Sequence, residues 1–304
     1  SRPSQKARAE SSAMTIHIDI GGTAIKVAIA DIEGNLFEND TLPVYHEKEK
    51  LMDTIVNYIE NMKLNYDVKG VCISAPGAVD SKSGIIYGTS AIQCIHGFNW
   101  KEELGQRVNL RVSIENDANC AALAETFNGK AKGLKDVLFL VCGTGIGGSI
   151  VKDGKIHNGK NLHGGEFGFM IMEEKDGKFI NFSRYASTMS FVRKAIEHYN
   201  DDTWNGERVF EAASKGDKFC IDIIDRFYLN LAKGIYNLQY VYDPEIILIG
   251  GGISKRDDFI YNINKKLDYL MEAIEDSTIR PEISACHYKN DANLVGALVN
   301  HINC

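Results

Sequence analysis

Twice along this chain an apolar strand runs into a glycine loop that carries a threonine, then returns as a second strand. The first pass covers Asp19 to Ala30 and the second Val141 to Val151. Apolar residues flank each loop in the pattern of a hairpin. Glycines directly after a strand let the backbone come close to a ligand, and the N–H groups of such a loop suit a phosphate. A chain that repeats this unit is expected to form two α/β halves, each with its own phosphate loop. A phosphoryl donor would then be held in a cleft between them.

The 304 residues suffice for one large domain or two medium ones, and 44% hydrophobic with 25% charged residues describes an ordinary globular protein. A net charge of −7 argues against a nucleic-acid surface. It does not oppose nucleotide binding, because backbone N–H groups and Mg²⁺ can meet the phosphates locally. The seven cysteines are odd in number and form no C-x-x-C pair. That usage fits a reduced, cytoplasmic protein better than a disulfide framework. No apolar run has the length of a membrane span, and no signal peptide is recognisable, so no membrane partner is expected. Residues 1–13 are polar and unpatterned, and Met14 follows them. They are expected to be a disordered expression remnant outside the fold.

Strands are expected over residues 15–20, 25–30, 70–74, 136–142 and 245–249, with a hairpin at 149–156 around Asp153-Gly154 and a last strand near 283–286. Helical spacing covers 50–62 and 217–240, with further helices from about Asp257 and over 290–303.

The stretch Ser113 to Glu125 passes from a short strand (Val112, Ile114) into an alanine-rich helix, with Glu115, Asn116 and Asp117 in a row at the junction. Asn116 or Asp117 can cap that helix. One cap is enough, however, and three polar side chains are present. A carboxylate at a helix N-terminus stays ionised near neutral pH, so Asp117 is the candidate general base. In the first loop Gly21 and Gly22 allow close backbone approach, Thr23 and Lys26 add donors, and Asp19 is the candidate ligand for Mg²⁺, directly or through water. A plain hairpin turn is the competing reading there. In the second loop Gly143, Thr144, Gly145 and Gly147 belong to a G-x-G-x-x-G pattern. A dinucleotide fold would need a helix directly after it. A hairpin follows instead, so a phosphate clamp is the better reading. Gly250, Gly251 and Gly252 lie between a strand and a helix, and suit either a tight turn or the close approach of a flat or anionic ligand.

Six motifs in order, Asp19-Ile20-Gly21-Gly22-Thr23-x-x-Lys26, Ser74-x-Pro76-Gly77-x-Val79-Asp80, Glu115-Asn116-Asp117-Ala118-Asn119, Gly143 to Gly148, Gly165-Glu166-x-Gly168 and Ile249 to Ile253, resemble the ROK family of sugar kinases over nearly the whole chain from Met14. The resemblance implies an actin-like, ribonuclease H-like ATPase fold with two α/β domains. One domain would be 14–115 plus 290–304 and the other 116–289. It also implies transfer of the γ-phosphoryl group of ATP to a sugar 6-hydroxyl. Asp117 matches the catalytic base. Asn116 and Glu166 match sugar-binding residues, and the turn from Ser74 to Gly77 lines the sugar pocket. The two threonine-bearing loops hold the phosphates, Gly250 to Gly252 lie against the nucleotide, and a homodimer is the family precedent.

Two departures bear on the acceptor. The family's zinc-binding His is Phe169 here, and no cysteine falls between Cys142 and Cys220, so no structural zinc is expected. Ser183 stands where the family often has a Glu. Both changes remove polar partners from the anomeric side of the sugar, as in the zinc-less branch that includes β-glucoside kinases. Phe169 either packs on an aglycone or sugar ring or fills the volume of the lost metal. The expected reaction is phosphorylation of a hexose or β-glucoside, with N-acetylmannosamine kinase or glucokinase activity as the alternative. A sugar-responsive regulator fits less well, since Met14 leaves too little chain before Asp19 for the helix-turn-helix that family repressors carry there.

Overall fold

A computed structural model describes residues 13–304, which divide into two compact units. The first comprises Ala13 to Gly129, Gly159 to His163 and Asn290 to Cys304 among the described residues. The second comprises Lys130 to Asn158 and Gly164 to Lys289. The expected remnant at 1–12 lies outside the described residues. Ala13, grouped with it, instead begins β1 and pairs with Asp67.

The first unit is built on a sheet of order β3-β2-β1-β4-β7. Its strands are β1 (Ala13–Ile20), β2 (Ile25–Ala30), β3 (Leu36–Leu42), β4 (Asp67–Ala75) and β7 (Arg111–Asn116). The first three pair antiparallel, while β4 joins β1 and β7 joins β4 in parallel. Helices α1 (Lys48–Asn65) and α2 (Trp100–Val108) bury Leu51, Ile55, Ile59, Trp100 and Leu104 in the same core as Ile16, Ile18, Val71 and Ile114. Helices α3 (Asp117–Asn128) and α9 (Ala292–Asn303) pack on each other, where Cys120, Ala297 and the β4 residue Cys72 form a second small core. A short hairpin of β5 (Ala78–Asp80) and β6 (Ile85–Tyr87) extends past β4.

The second unit repeats this plan, with the order β10-β9-β8-β13-β14. Here β8 (Val137–Cys142), β9 (Ile146–Lys152) and β10 (Lys155–Ile156) are antiparallel, and β13 (Ile246–Gly250) and β14 (Ile283–Ala285) continue the sheet in parallel. The turn between β9 and β10 is Asp153-Gly154 with φ of 51° and 78°, the pair of left-handed residues that a two-residue hairpin needs. A core of Leu138, Leu140, Phe182, Phe191, Phe227, Leu231, Ile249 and Phe259 joins the sheet to α4 (Phe182–Ala186), α5 (Thr188–Tyr199), α6 (Gly206–Ser214), α7 (Lys218–Tyr242) and α8 (Phe259–Ala273). A separate hairpin, β11 (Ile171–Lys175) with β12 (Lys178–Asn181), precedes α4. The duplicated strand–loop–strand pattern is thus a duplicated sheet topology.

The division between units falls after α3, at Gly129, rather than before it at Glu115. The reason is the α3–α9 contact. Gly296 lies so close to Cys120 that a Cβ there would overlap its carbonyl, which ties the junction helix to the first unit.

Candidate active site

At the β7–α3 junction the three consecutive polar residues do three different things. Glu115 turns inward, 2% exposed, and its Oε1 accepts from the Asn116 N–H at 2.7 Å and from Asn119 Nδ2 at 3.0 Å. Burial pushes its carboxyl up to about 7, against the lowering effect of those two donors. Asn116 is the cap. Its Oδ1 accepts from the N–H groups of Ala118 at 2.9 Å and Asn119 at 3.2 Å, and its Nδ2 donates to the Gly77 carbonyl at 2.8 Å. Asp117 is left at the first helical position, half-buried, with Oδ1 accepting from the Ala118 N–H at 2.8 Å. The Asn116–Gly77 bond brings the turn after β4 to the same place. Gly77 takes φ of 96°, and a Cβ on it would crowd Ile86 and His96, so only glycine fits. Ser74, expected in the lining, is instead wholly buried inside β4, opposite Asp19 on β1 and Glu115 on β7.

The first loop is a tight connection, Gly21 to Ala24, closed by Gly21 N–H donating to Ala24 O at 3.1 Å. Gly22, Thr23 and Lys26 are exposed, and Lys26 Nζ donates to Asn290 O at 3.5 Å. Asp19 sits at the strand end, 8% exposed, and both its oxygens accept from Asn293 Nδ2 at 3.3 Å. Burial raises its carboxyl above the usual range, with Asn293 opposing. Such a group gains from a cation beside it, which is what an Mg²⁺ ligand requires.

In the second unit the glycine loop is shorter than its sequence pattern implies. The connection is Gly143-Thr144-Gly145, closed by Gly143 N–H on Gly145 O at 3.0 Å. Gly147 lies inside β9 opposite Val141, not in the loop. Gly148, also in β9, leaves room for the Phe167 ring. Ser183 braces this turn, accepting from the Ile146 N–H at 2.9 Å and donating to Ile146 O at 3.2 Å. Its hydroxyl is therefore part of the loop's frame, a role its sequence position gave no sign of.

The segment Gly165 to Phe169 lies against β9. Gly165, Phe167 and Gly168 are buried, and Glu166 and Phe169 are exposed. Phe169 is 68% exposed, so it does not fill a vacated metal cavity. Among the described residues no three His, Cys, Asp or Glu side chains gather in a way that would hold a metal.

The third glycine run ends β13. Gly251 has φ of 100°, and a Cβ on it would overlap the Cys142 carbonyl. A Cβ on Gly252 would meet nothing within 4 Å. Gly252 instead floors a cavity of about 740 Å³ lined also by Thr188, Asn205, Phe210 and Arg256. The Thr188 N–H donates to Gly143 O at 2.9 Å, so this cavity adjoins the second glycine loop. The Arg256 guanidinium lies 3.7 Å from the Phe210 ring centroid, which sets one wall. Sequence reasoning missed Thr188, Asn205, Phe210 and Arg256, because they come from three separate elements with no shared motif.

The ROK family model matches residues 15–301. The chain belongs to the ROK family. A β-glucoside kinase from Listeria monocytogenes is 34% identical over 93% of this chain and 96% of its own. One from Klebsiella pneumoniae is 32% identical over 94% of each. Among solved structures, a ROK family protein from Streptococcus pneumoniae, in complex with sucrose, superposes with a TM-score of 0.89 at 38% identity, covering 95% of this chain and 98% of that one. A ROK glucokinase from Streptomyces griseus, in complex with glucose and AMPPNP, gives 0.76 at 28% identity, covering 94% and 98%. The fold is the actin-like ATPase fold of these ROK kinases.

Proposed function

We propose that this protein is an ATP-dependent sugar kinase that phosphorylates the 6-hydroxyl of a β-glucoside, with Asp117 as general base. The observation that carries the reaction is the division of labour at the junction. Asn116 supplies the cap of α3, and Asp117 stands beside it as the half-buried carboxylate of the first helical position, its Oδ1 held by the Ala118 N–H. It accepts the hydroxyl proton as the oxygen attacks the γ-phosphorus in line and ADP leaves. Asn116, the Gly77 turn and Glu166 bind and orient the sugar, and Ser74 supports Asp19 from within the sheet. The loops at Gly21 to Thr23 and Gly143 to Gly145 offer N–H and hydroxyl donors to the phosphates, with Lys26 adding charge. The nucleoside occupies the cavity over Gly252. Asp19 is the residue to hold Mg²⁺, which would neutralise phosphate charge when bound.

The acceptor class rests on Phe169. A ring 68% exposed where the family has its zinc ligand is suited to stack on an aglycone or second sugar. The β-glucoside kinases at 32% and 34% identity, and a neighbour at 38% identity bound to a disaccharide, support the same choice. Glucokinase or N-acetylmannosamine kinase activity is the alternative. ATP consumption against cellobiose, arbutin, glucose and N-acetylmannosamine separates them. Turnover confined to the free sugars overturns the glycoside assignment. Asp117→Asn is expected to lower kcat by about 10²- to 10⁴-fold, the usual share of a general base, with sugar affinity nearly unchanged. A variant of near-normal rate would remove Asp117 from that role. A homodimer belongs to the same proposal, and light scattering on the purified chain tests it.

A further inference from the structure

A second cavity in the second unit, about 510 Å³, opens among α4, α5, α7 and the β11–β12 hairpin. Helical spacing builds its walls. Arg193, Lys194 and Glu197 share one face of α5, and Arg226, Asn230 and Lys233 share one face of α7. With Lys175 on β11 and Arg184 on α4, six basic side chains face two acidic ones, Glu173 and Glu197. That leaves four positive charges in one cavity, on a chain whose net charge is −7.

None of the six basic residues forms an ion pair among the described residues. Lys233 donates to the Tyr185 hydroxyl at 3.1 Å. Burial lowers the basicity of Arg193, and the charge of Arg184 adds to it. Burial likewise lowers Lys194, with Arg226 next and Glu173 opposing. Unpaired like charges held together disfavour the fold, so their grouping calls for an anion. A second observation points beyond simple charge. Asn230 is 4% exposed, its Nδ2 donates to Tyr185 O at 3.2 Å, and among the described residues its Oδ1 has no hydrogen-bond partner. A buried amide oxygen without a donor is costly, and a ligand hydroxyl would satisfy it.

We infer that this cavity is a binding site for a phosphorylated sugar, its phosphoryl group held by Arg184, Arg193 and Arg226 and a hydroxyl donated to Asn230. Guanidinium groups engage phosphoryl oxygens in paired hydrogen bonds, and the polyol supplies the donor that Asn230 lacks. The ligand class comes from the product of the proposed reaction, whereas the cavity argument stands without that reaction. None of these residues belongs to the junction, the glycine loops or the cavity over Gly252.

The test is calorimetric titration of the full chain with glucose 6-phosphate, inorganic phosphate and glucose. It is repeated on Arg193→Gln/Arg226→Gln and on the exposed charge reversal Arg184→Glu. ATP affinity and thermal midpoint serve as controls for the main site and the fold. Expected is glucose 6-phosphate binding tighter than phosphate, weakened about tenfold or more in both variants while ATP affinity holds. Equal binding of phosphate and glucose 6-phosphate overturns the sugar assignment in favour of free phosphate. Binding that the variants leave intact, or none at millimolar ligand, overturns the site. A kinase assay that fails while this binding persists sinks only the proposed reaction.

Discussion

Glu115 shows how much a single side chain at the junction depends on where it points. Its pKa, raised by burial to about 7, lies above the unfolded value of 4.5. The folded state therefore holds an extra proton between these values, and Glu115 supports stability fully below pH 4.5 and loses that support as pH rises through 7. Glu115→Gln keeps an acceptor for the Asn116 N–H and for Asn119 and removes the buried charge. We expect its thermal midpoint to exceed the parent's at pH 8 and the gain to vanish towards pH 5. An equal gain at both pH values would mean that Glu115 does not titrate in this range. From sequence, either Asn116 or Asp117 could be the cap, and nothing showed where Glu115 points. Backbone direction at the end of β7 decides that the first faces the core, the second closes the helix and the third stays half-exposed.

At the scale of elements, glycines that look alike in sequence have opposite tolerances. Gly251→Ala forces a Cβ into the Cys142 carbonyl at a left-handed φ, and should cost several kcal/mol, with loss of folded protein in expression and melting assays. Gly252→Ala meets nothing in the protein. It should leave the melting midpoint within about 2 °C and raise KM for ATP, because the methyl enters the cavity over that residue. Gly296→Ala wedges α9 off Cys120 of α3, and overpacking of backbone at a helix crossing should cost about 3 kcal/mol or more, measured by denaturant unfolding. The same variant is expected to slow turnover, since α3 carries Asp117 at its start. Three glycines in a row gave no hint of which one packs and which one opens. The answer lies in β8, which is distant in sequence.

For the molecule as a whole, the acid limit is set by two buried histidines in the first unit. His17 is fully buried and donates to or accepts from Thr15 at 2.7 Å and faces the Leu294 carbonyl at 2.8 Å, while His301 meets Ser113 at 2.6 Å. Burial lowers both to about 4, from 6.5. The unfolded chain then binds more protons between these values, so stability is complete above pH 6.5 and falls as pH drops towards 4. His17 alone corresponds to about 3 kcal/mol at about 1.4 kcal/mol per pKa unit. The two histidines outweigh the opposite trend of Glu115, so unfolding free energy should decline below pH 6.5, and a flat profile from pH 8 to 5 would refute this. Much of the architecture was legible from the chain itself. Alternation and glycine placement gave the strands, their two hairpins and the duplicated plan, since period and turn chemistry are local properties. The six motifs gave the family. Tertiary structure alone decided that Gly147 lies in a strand, that Ser74 is enclosed, that Ser183 braces a loop and that α3 joins the first unit. It also decided that basic residues spread over four elements meet in one cavity. Each of these depends on contacts between residues far apart in sequence, and burial is a property of the packed whole.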